Sequence, residues 1–129
     1  MFQFLYNIGV NIYTLFIKIA ALFNEKAKLW VAGRHNWQQR YQEAWKLINP
    51  KYAPTVWVHC ASLGEFEQGR PVIEALKKHY PEVKILLTFF SPSGFEIRKH
   101  YHHADFICYL PADSPSNALK FIEIFQPDL

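Results

Sequence analysis

The chain has 129 residues, a net charge of +3, and is 50% apolar and 17% aromatic. That length supports one domain with a real core, and that apolar content excludes an intrinsically disordered chain. The charge is uneven: residues 1–54 carry seven Lys/Arg against two acids (Glu25 and Glu43), whereas residues 55–129 carry seven against nine, so an anionic surface would meet the front of the chain only.

The first segment, residues 1–23, reads MFQFLYNIGVNIYTLFIKIAALF. Its polar residues are Gln3, Asn7, Asn11, Thr14 and Lys18. On a helix they fall within a sector about 80° wide, and the rest of the circumference is apolar. A secretory signal is disfavoured, because no positive residues precede the apolar stretch. A spanning helix has the length, but a central polar stripe is costly in lipid without a partner. A helix lying in one leaflet with its polar stripe outward fits the pattern best. Residues 24–54 follow as a basic, aromatic helical linker. There Lys26, Lys28, Arg34, Arg40 and Lys46 alternate with Trp30, Trp37, Tyr41 and Trp45. No nucleic-acid motif accompanies them, and aromatics beside cations are the mark of a membrane interface. The partner expected is therefore lipid at the cytoplasmic face of a membrane, and not nucleic acid.

From residue 55 the period changes. TVWVHC, VKILLTFF and DFICYL read as buried strands. GEFEQGRPVIEALKKHY reads as a helix with Val72, Ile73, Leu76 and Tyr80 inward. PSGFEIRKHYHH gives a short helix, and SPSNALKFIEIFQP a third with Leu119, Ile122 and Phe125 inward. The alternation predicts an α/β domain over 55–129, a Rossmann-like parallel sheet with helices on both faces. Pro127-Asp128-Leu129 stands where a fourth strand should begin. A three-stranded sheet would leave an apolar edge open, so the chain reads as part of a longer protein.

Ligands of such sheets bind at the carboxyl ends of the strands. Those ends are CASLGE, FFSPSGFE and LPADSPS. Ser62-Leu63-Gly64-Glu65 has the spacing of a capping box, yet it also puts a carboxylate at the crevice. Pro71 is awkward inside a helix that starts at Ser62, so the regular helix is expected to begin near Pro71. Asp113 reads as a helix cap ahead of Pro115. The candidate substrate-binding positions are Ser62, Gly64, Ser91, Ser93 and Gly94, with Gly94 allowing close approach of a ligand and capping the competing role for the serines. Ser62 lacks the G-x-S-x-G surroundings of a nucleophile. Cys60 and Cys108 read as buried free thiols of a reducing compartment. His59 and Cys60 are adjacent on a strand and point to opposite faces, which disfavours a nucleophile pair. The six histidines show no metal-ligand spacing.

Ala61–Glu65 (A-S-x-G-E), Thr88–Gly94 (T-x-x-S-P-S-G), Leu110–Pro115 (L-P-x-D-x-P) and Lys26–Arg34 (KAKLWVAGR) occur in this order. Together they resemble the N-terminal domain of the 3-deoxy-D-manno-octulosonic acid (Kdo) transferases, the glycosyltransferases of lipopolysaccharide core assembly. The resemblance covers nearly the whole chain. It implies the N-terminal half of a two-domain GT-B fold, and inverting transfer of Kdo from CMP-Kdo to a lipid A precursor at the cytoplasmic face of the inner membrane. It implies that Glu65 is the general base and that the donor is held mainly beyond Leu129; separately, no cofactor or metal is expected. A membrane-tethered binding module in which Glu65 only caps, or a GT-B transferase with another donor, are the alternatives.

Overall fold

A computed structural model describes residues 1–129. It contains α1 (Phe2–Ala20), α2 (Glu25–Arg34), α3 (Trp37–Ile48), β1 (Thr55–Cys60), α4 (Leu63–His79), β2 (Lys84–Phe89), α5 (Pro92–Arg98), β3 (Phe106–Tyr109) and α6 (Pro115–Phe125). The three strands are parallel in the order β1-β2-β3. Thr55 pairs with Lys84, and Leu86 with Phe106. The expected α/β sheet with helices on both faces is therefore present.

Five consecutive residues of β2, Ile85 to Phe89, are buried. A strand covered on both faces is apolar on both, and so loses the usual alternation. Ile85, Leu87 and Phe89 join Cys60, Phe66 and Ile73 on the side of α4 and α5. On the other side, Leu86 and Cys108 meet Trp37, Tyr41, Trp45, Phe121 and Phe125 from α3 and α6. The Trp and Tyr residues of the basic stretch are thus core residues. Trp30, Trp37, Tyr41 and Trp45 are each buried, which corrects the expectation that they face lipid. Their spacing in α3 is four residues, one helix face. In α3 the aromatic rings turn inward while Arg40 and Lys46 stay outside, so the expected linker supplies a layer of the α/β sandwich.

Two helices turn differently from their expected faces. In α6 the buried residues are Phe121 and Phe125, whereas Leu119 is 69% exposed and Ile122 46% exposed. Phe121 packs on Trp57 with ring centroids 4.9 Å apart, and on Phe125 at 4.6 Å. These rings bury more area than Leu119 could, and they set the rotation of the helix. In α4, Ile73 is buried with Leu76 beside it, but Val72 and Tyr80 are exposed. This helix also runs unbroken from Leu63, with Pro71 inside it, rather than starting near Pro71. Pro71 leaves the Glu67 carbonyl without its helical partner. Both residues are exposed, so water can satisfy that carbonyl.

The last residues lie along the outer edge of β1. Trp57 N–H donates to the Leu129 carbonyl at 2.7 Å, and Thr55 N–H to the Asp128 carboxylate at 2.8 Å. Residues 127–129 thus run beside β1 through these bonds, without forming a fourth strand.

Helix α1 buries none of its residues. Phe2, Phe4, Leu5, Leu15, Phe16 and Phe23 are all exposed. Its inner side is a mixed stripe of Asn7, Val10, Thr14, Ile17 and Ala21, each half-buried. Tyr13 meets the rings of Trp30 and Phe90, and Tyr6 hydrogen-bonds Asp113. Part of the polar stripe therefore borders the domain, and the apolar side faces out. No helix is long and apolar enough to cross a membrane.

The α6 rotation is checked by truncation. Phe121→Ala is expected to cost about 3–5 kcal/mol of stability, and Leu119→Ala at most about 0.5 kcal/mol. Urea denaturation of the two variants measures this, and equal losses would show that the helix presents the other face.

Candidate functional site

The three carboxyl-end loops meet at one end of the sheet. Ser62 is extended (φ −138°) and begins α4; its Oγ accepts from the Glu65 N–H at 3.3 Å. Glu65 folds back, and its Oε2 accepts from the Ala61 N–H at 2.6 Å. This is a capping box moved by one residue, since the carboxylate reaches the residue before the cap rather than the cap itself. Glu65 is exposed, and its second oxygen makes no hydrogen bond within the chain. Gly64 is exposed beside it. A methyl there would find only Ser62 Oγ, at 3.9 Å, so the turn presents open backbone.

The second loop is tied to the first. Ser91 N–H donates to the Ala61 carbonyl at 3.0 Å. Ser91 begins α5, and its Oγ lies 2.6 Å from that of Ser93. The structure therefore brings Ser62, Gly64, Glu65, Ser91 and Ser93 to the same end of the sheet, on two loops joined by this bond. Gly94 differs. It is buried, and a methyl on it would lie 2.7 Å from the Phe89 ring and 3.2 Å from the Leu63 nitrogen. The close approach it permits is to the protein's own β1–α4 turn, not to a ligand.

Arg34 closes the third side. Its Nε donates to the Leu110 carbonyl at 2.8 Å, Nη2 to Phe90 at 3.1 Å, and Nη1 to Trp30 at 3.3 Å. The guanidinium sits 3.9 Å from the Trp30 ring centroid. One side chain of α2 thus binds the carbonyls just past β2 and β3. Burial pulls its pKa down to about 10, which still leaves it charged at neutral pH. Beside it, Gly33 lies flat on the Tyr109 ring, where any Cβ would overlap.

His59 was legible in sequence only as an unpromising partner for Cys60, and the two do face apart. The Cys60 thiol is buried on the α4 side, and burial pushes it up to about 11. On the other face, His59 Nδ1 lies 2.9 Å from Thr88 Oγ1, which also accepts from Trp57 Nε1 at 2.9 Å. Burial lowers the His59 pKa, outweighing the opposing pull of the Glu65 carboxylate. A neutral imidazole beside the crevice leaves Glu65 without a competing full charge. The signal available in sequence was strand alternation, which puts Trp57 and His59 on one face; the His59–Thr88 pairing adds the partner. Elsewhere, no group of three or more His, Cys, Asp or Glu is gathered for a metal ion.

A family model described as 3-deoxy-D-manno-octulosonic-acid transferase (kdotransferase) matches residues 35–129. The chain belongs to this family. It is similar to the 3-deoxy-D-manno-octulosonic acid transferase of Haemophilus influenzae, 35% identical over 75 residues, covering 57% of this chain and 18% of that protein. The transferase of the same name from Aquifex aeolicus is 37% identical over 73 residues, covering 56% of this chain and 20% of its own. One from Rickettsia felis is 30% identical over 79 residues, covering 57% and 16%. The chain therefore spans a fifth or less of the length of these relatives. No solved structure matches it. The matched region runs from the end of α2 to Leu129, so it takes in all three carboxyl-end loops of this Kdo transferase domain.

The state of His59 gives a pH prediction. Its folded pKa lies below the usual ~6.5, because burial disfavours the imidazolium. The unfolded chain therefore binds this proton more readily, and the contribution to stability falls as pH drops through ~6.5 toward the folded value. An NMR titration of the His59 imidazole should give a midpoint below the ordinary ~6.5. A midpoint at or above that value would contradict the partly desolvated, Thr88-bonded placement.

Proposed function

We propose that this chain is the acceptor-side portion of a Kdo transferase acting in lipopolysaccharide biosynthesis, with Glu65 as its general base. Family membership supports Kdo transfer. The observation that carries the residue assignment is the position of Glu65: an exposed carboxylate at the end of β1 with one oxygen fixed by Ala61 and the other free.

In this reading the donor is CMP-Kdo and the acceptor a lipid A precursor, brought together between two Rossmann-like halves of a GT-B enzyme. The sugar hydroxyl of the acceptor is a poor nucleophile. The free oxygen of Glu65 takes its proton as the new bond forms at the anomeric carbon. The CMP group departs with the bonding electrons, and attack from the opposite face inverts the centre. The Ala61 N–H fixes the carboxylate at little entropic cost, because the base is held before substrate arrives. Ser62 and Gly64 shape its turn, and the exposed hydroxyl of Ser93 is available to hydrogen-bond the sugar.

The same contact that positions Glu65 favours a second reading, in which the carboxylate only caps α4 and the domain is a membrane-tethered binding module. Gln at position 65 separates the two, because an amide oxygen still accepts from Ala61 N–H but removes no proton. In the full-length enzyme, Glu65→Gln is expected to change stability by at most ~1 kcal/mol and to lower turnover by ~10²- to 10⁴-fold. Near-normal turnover would leave capping as its whole role. Sequence continuing past Leu129 separates CMP-Kdo from another donor.

Membrane placement belongs to this proposal. Helix α1 shows lipid a broad apolar surface of Phe, Leu and Ile side chains, and its inner stripe holds the domain through Tyr6 and Tyr13. It would lie in one leaflet, at the cytoplasmic face of the inner membrane, with the crevice near the lipid surface where the acceptor resides. Deleting residues 1–23 is expected to move the protein from the membrane to the soluble fraction on centrifugation. Undiminished membrane binding would transfer the anchor to another segment.

A further inference from the structure

A cavity of about 270 Å³ lies between α1, α2, the start of α3 and the first turn of α6. Its wall includes Thr14, Lys18, Trp30, Arg34, Asn36 and Asn117 and contains no acidic residue. The nearest carboxylate along the chain, Asp113, borders a separate depression and is bonded to Tyr6.

Four observations converge here. Arg34 is largely withdrawn from solvent, yet it has no carboxylate partner; it rests on carbonyls and ring faces. A buried charge without a counter-ion is costly, and three carbonyls account for only three of its five N–H groups. Lys18, exposed on α1 at the cavity wall, has no acidic partner. Trp30 is 94% buried, and its indole N–H has no hydrogen-bond partner in the protein. Finally, the 12-residue helix α3 opens at this wall with no side-chain cap, in contrast to α2, α4 and α6. Its first N–H groups and positive dipole end favour an anion.

A guanidinium fork, an ammonium, an amide, an indole N–H and an uncapped helix start are all donors. We infer that this cavity is a phosphate-monoester site. A tetrahedral dianion accepts several hydrogen bonds at once, and would supply the counter-charge that Arg34 lacks. The cavity lies under α1, so the phosphate could belong to a lipid headgroup or to a free phosphate compound; the chemistry recognised is the same. The site makes no use of Glu65 and stands apart from the proposed proton transfer.

The test uses the whole 129-residue chain, ¹⁵N-labelled at its tryptophans, in phosphatidylcholine nanodiscs. Titration with inorganic phosphate should shift the Trp30 indole N–H resonance saturably. Lys18→Ala, an exposed change that spares the core, should weaken the apparent affinity about tenfold, as expected for one lost charge-assisted contact. Lys51→Ala, at the opposite end of the sheet, and Glu65→Gln should leave it unchanged, so this site can fail without affecting the base assignment and the reverse. A second arm adds phosphatidic acid or phosphatidylglycerol to the discs. A Trp30 shift with phosphatidic acid alone, lost in Lys18→Ala, assigns a lipid phosphate. A shift with inorganic phosphate and none with either lipid assigns a free one. Absence of a Trp30 shift in both arms, or a shift that Lys18→Ala does not weaken, overturns the proposal.

Discussion

The guanidinium of Arg34 joins two parts of the chain that have different jobs. Its Nε and Nη2 hold the carbonyls of Leu110 and Phe90, just past β3 and β2, and its own helix carries Trp30 against Tyr13 of α1. Carbonyls beyond a strand's end have no ladder partner and must be satisfied locally. Here one rigid planar group satisfies two of them and fixes two loops relative to a third helix. A lysine could not, because a single ammonium on a flexible stem lacks the fork. Gly33, the preceding residue, lets α2 lie against Tyr109 closely enough for this reach. The crevice and the attitude of α1 both depend on that contact.

The crevice then needs only short links. Ser91 N–H bonds to Ala61, Leu110 N–H to Phe89, and Tyr41 Oη to Tyr109. Each ties one strand's exit to its neighbour or to α3. Gly94 brings α5 onto the Leu63 turn, so the first turn of α4 is supported from below. That support bears on Glu65, whose carboxylate is held by a backbone N–H rather than by a long side chain. A group so fixed loses little freedom when substrate binds. Capping and catalysis are compatible in such a geometry, since capping uses one carboxylate oxygen and proton transfer the other.

Much of this was legible in the chain. The βα alternation, the buried run of β2 and the Ser62–Glu65 spacing each report a local constraint, and local constraints leave a periodic trace. The inward faces of α4 and α6 were less legible, because Leu119 and Ile122 satisfy a helical period with Phe125 as well as Phe121 does. What decided between them was the aromatic layer on α3, a tertiary fact. The same layer explains the misreading of Trp37, Tyr41 and Trp45. Aromatics beside cations suit an interface, but on a helix four-residue spacing puts the rings on one side and the charges on the other. Pro71 misled in the opposite direction: part of its cost is the freed Glu67 carbonyl, and here Glu67 is exposed to water. His59 and Gly94 needed the sheet register and the packing distances, neither of which composition carries.

The front of the chain is best understood through what its charges face. Seven Lys/Arg in residues 1–54 gave a net basic segment, and composition alone assigns all of them to an outer surface. The fold divides them. Lys26 and Lys28 remain exposed, where they act only through a screened field. Arg34 is drawn inward among carbonyls and rings, where a charge is costly unless its hydrogen bonds are met. Its pKa, lowered to about 10, reflects that cost without neutralising it. A buried cation that stays charged keeps a demand for counter-charge that solvent cannot meet as well as an anion could. The basic bias therefore has two origins, a diffuse one that suits an anionic surface and a local one built into the joint between α1 and the sheet.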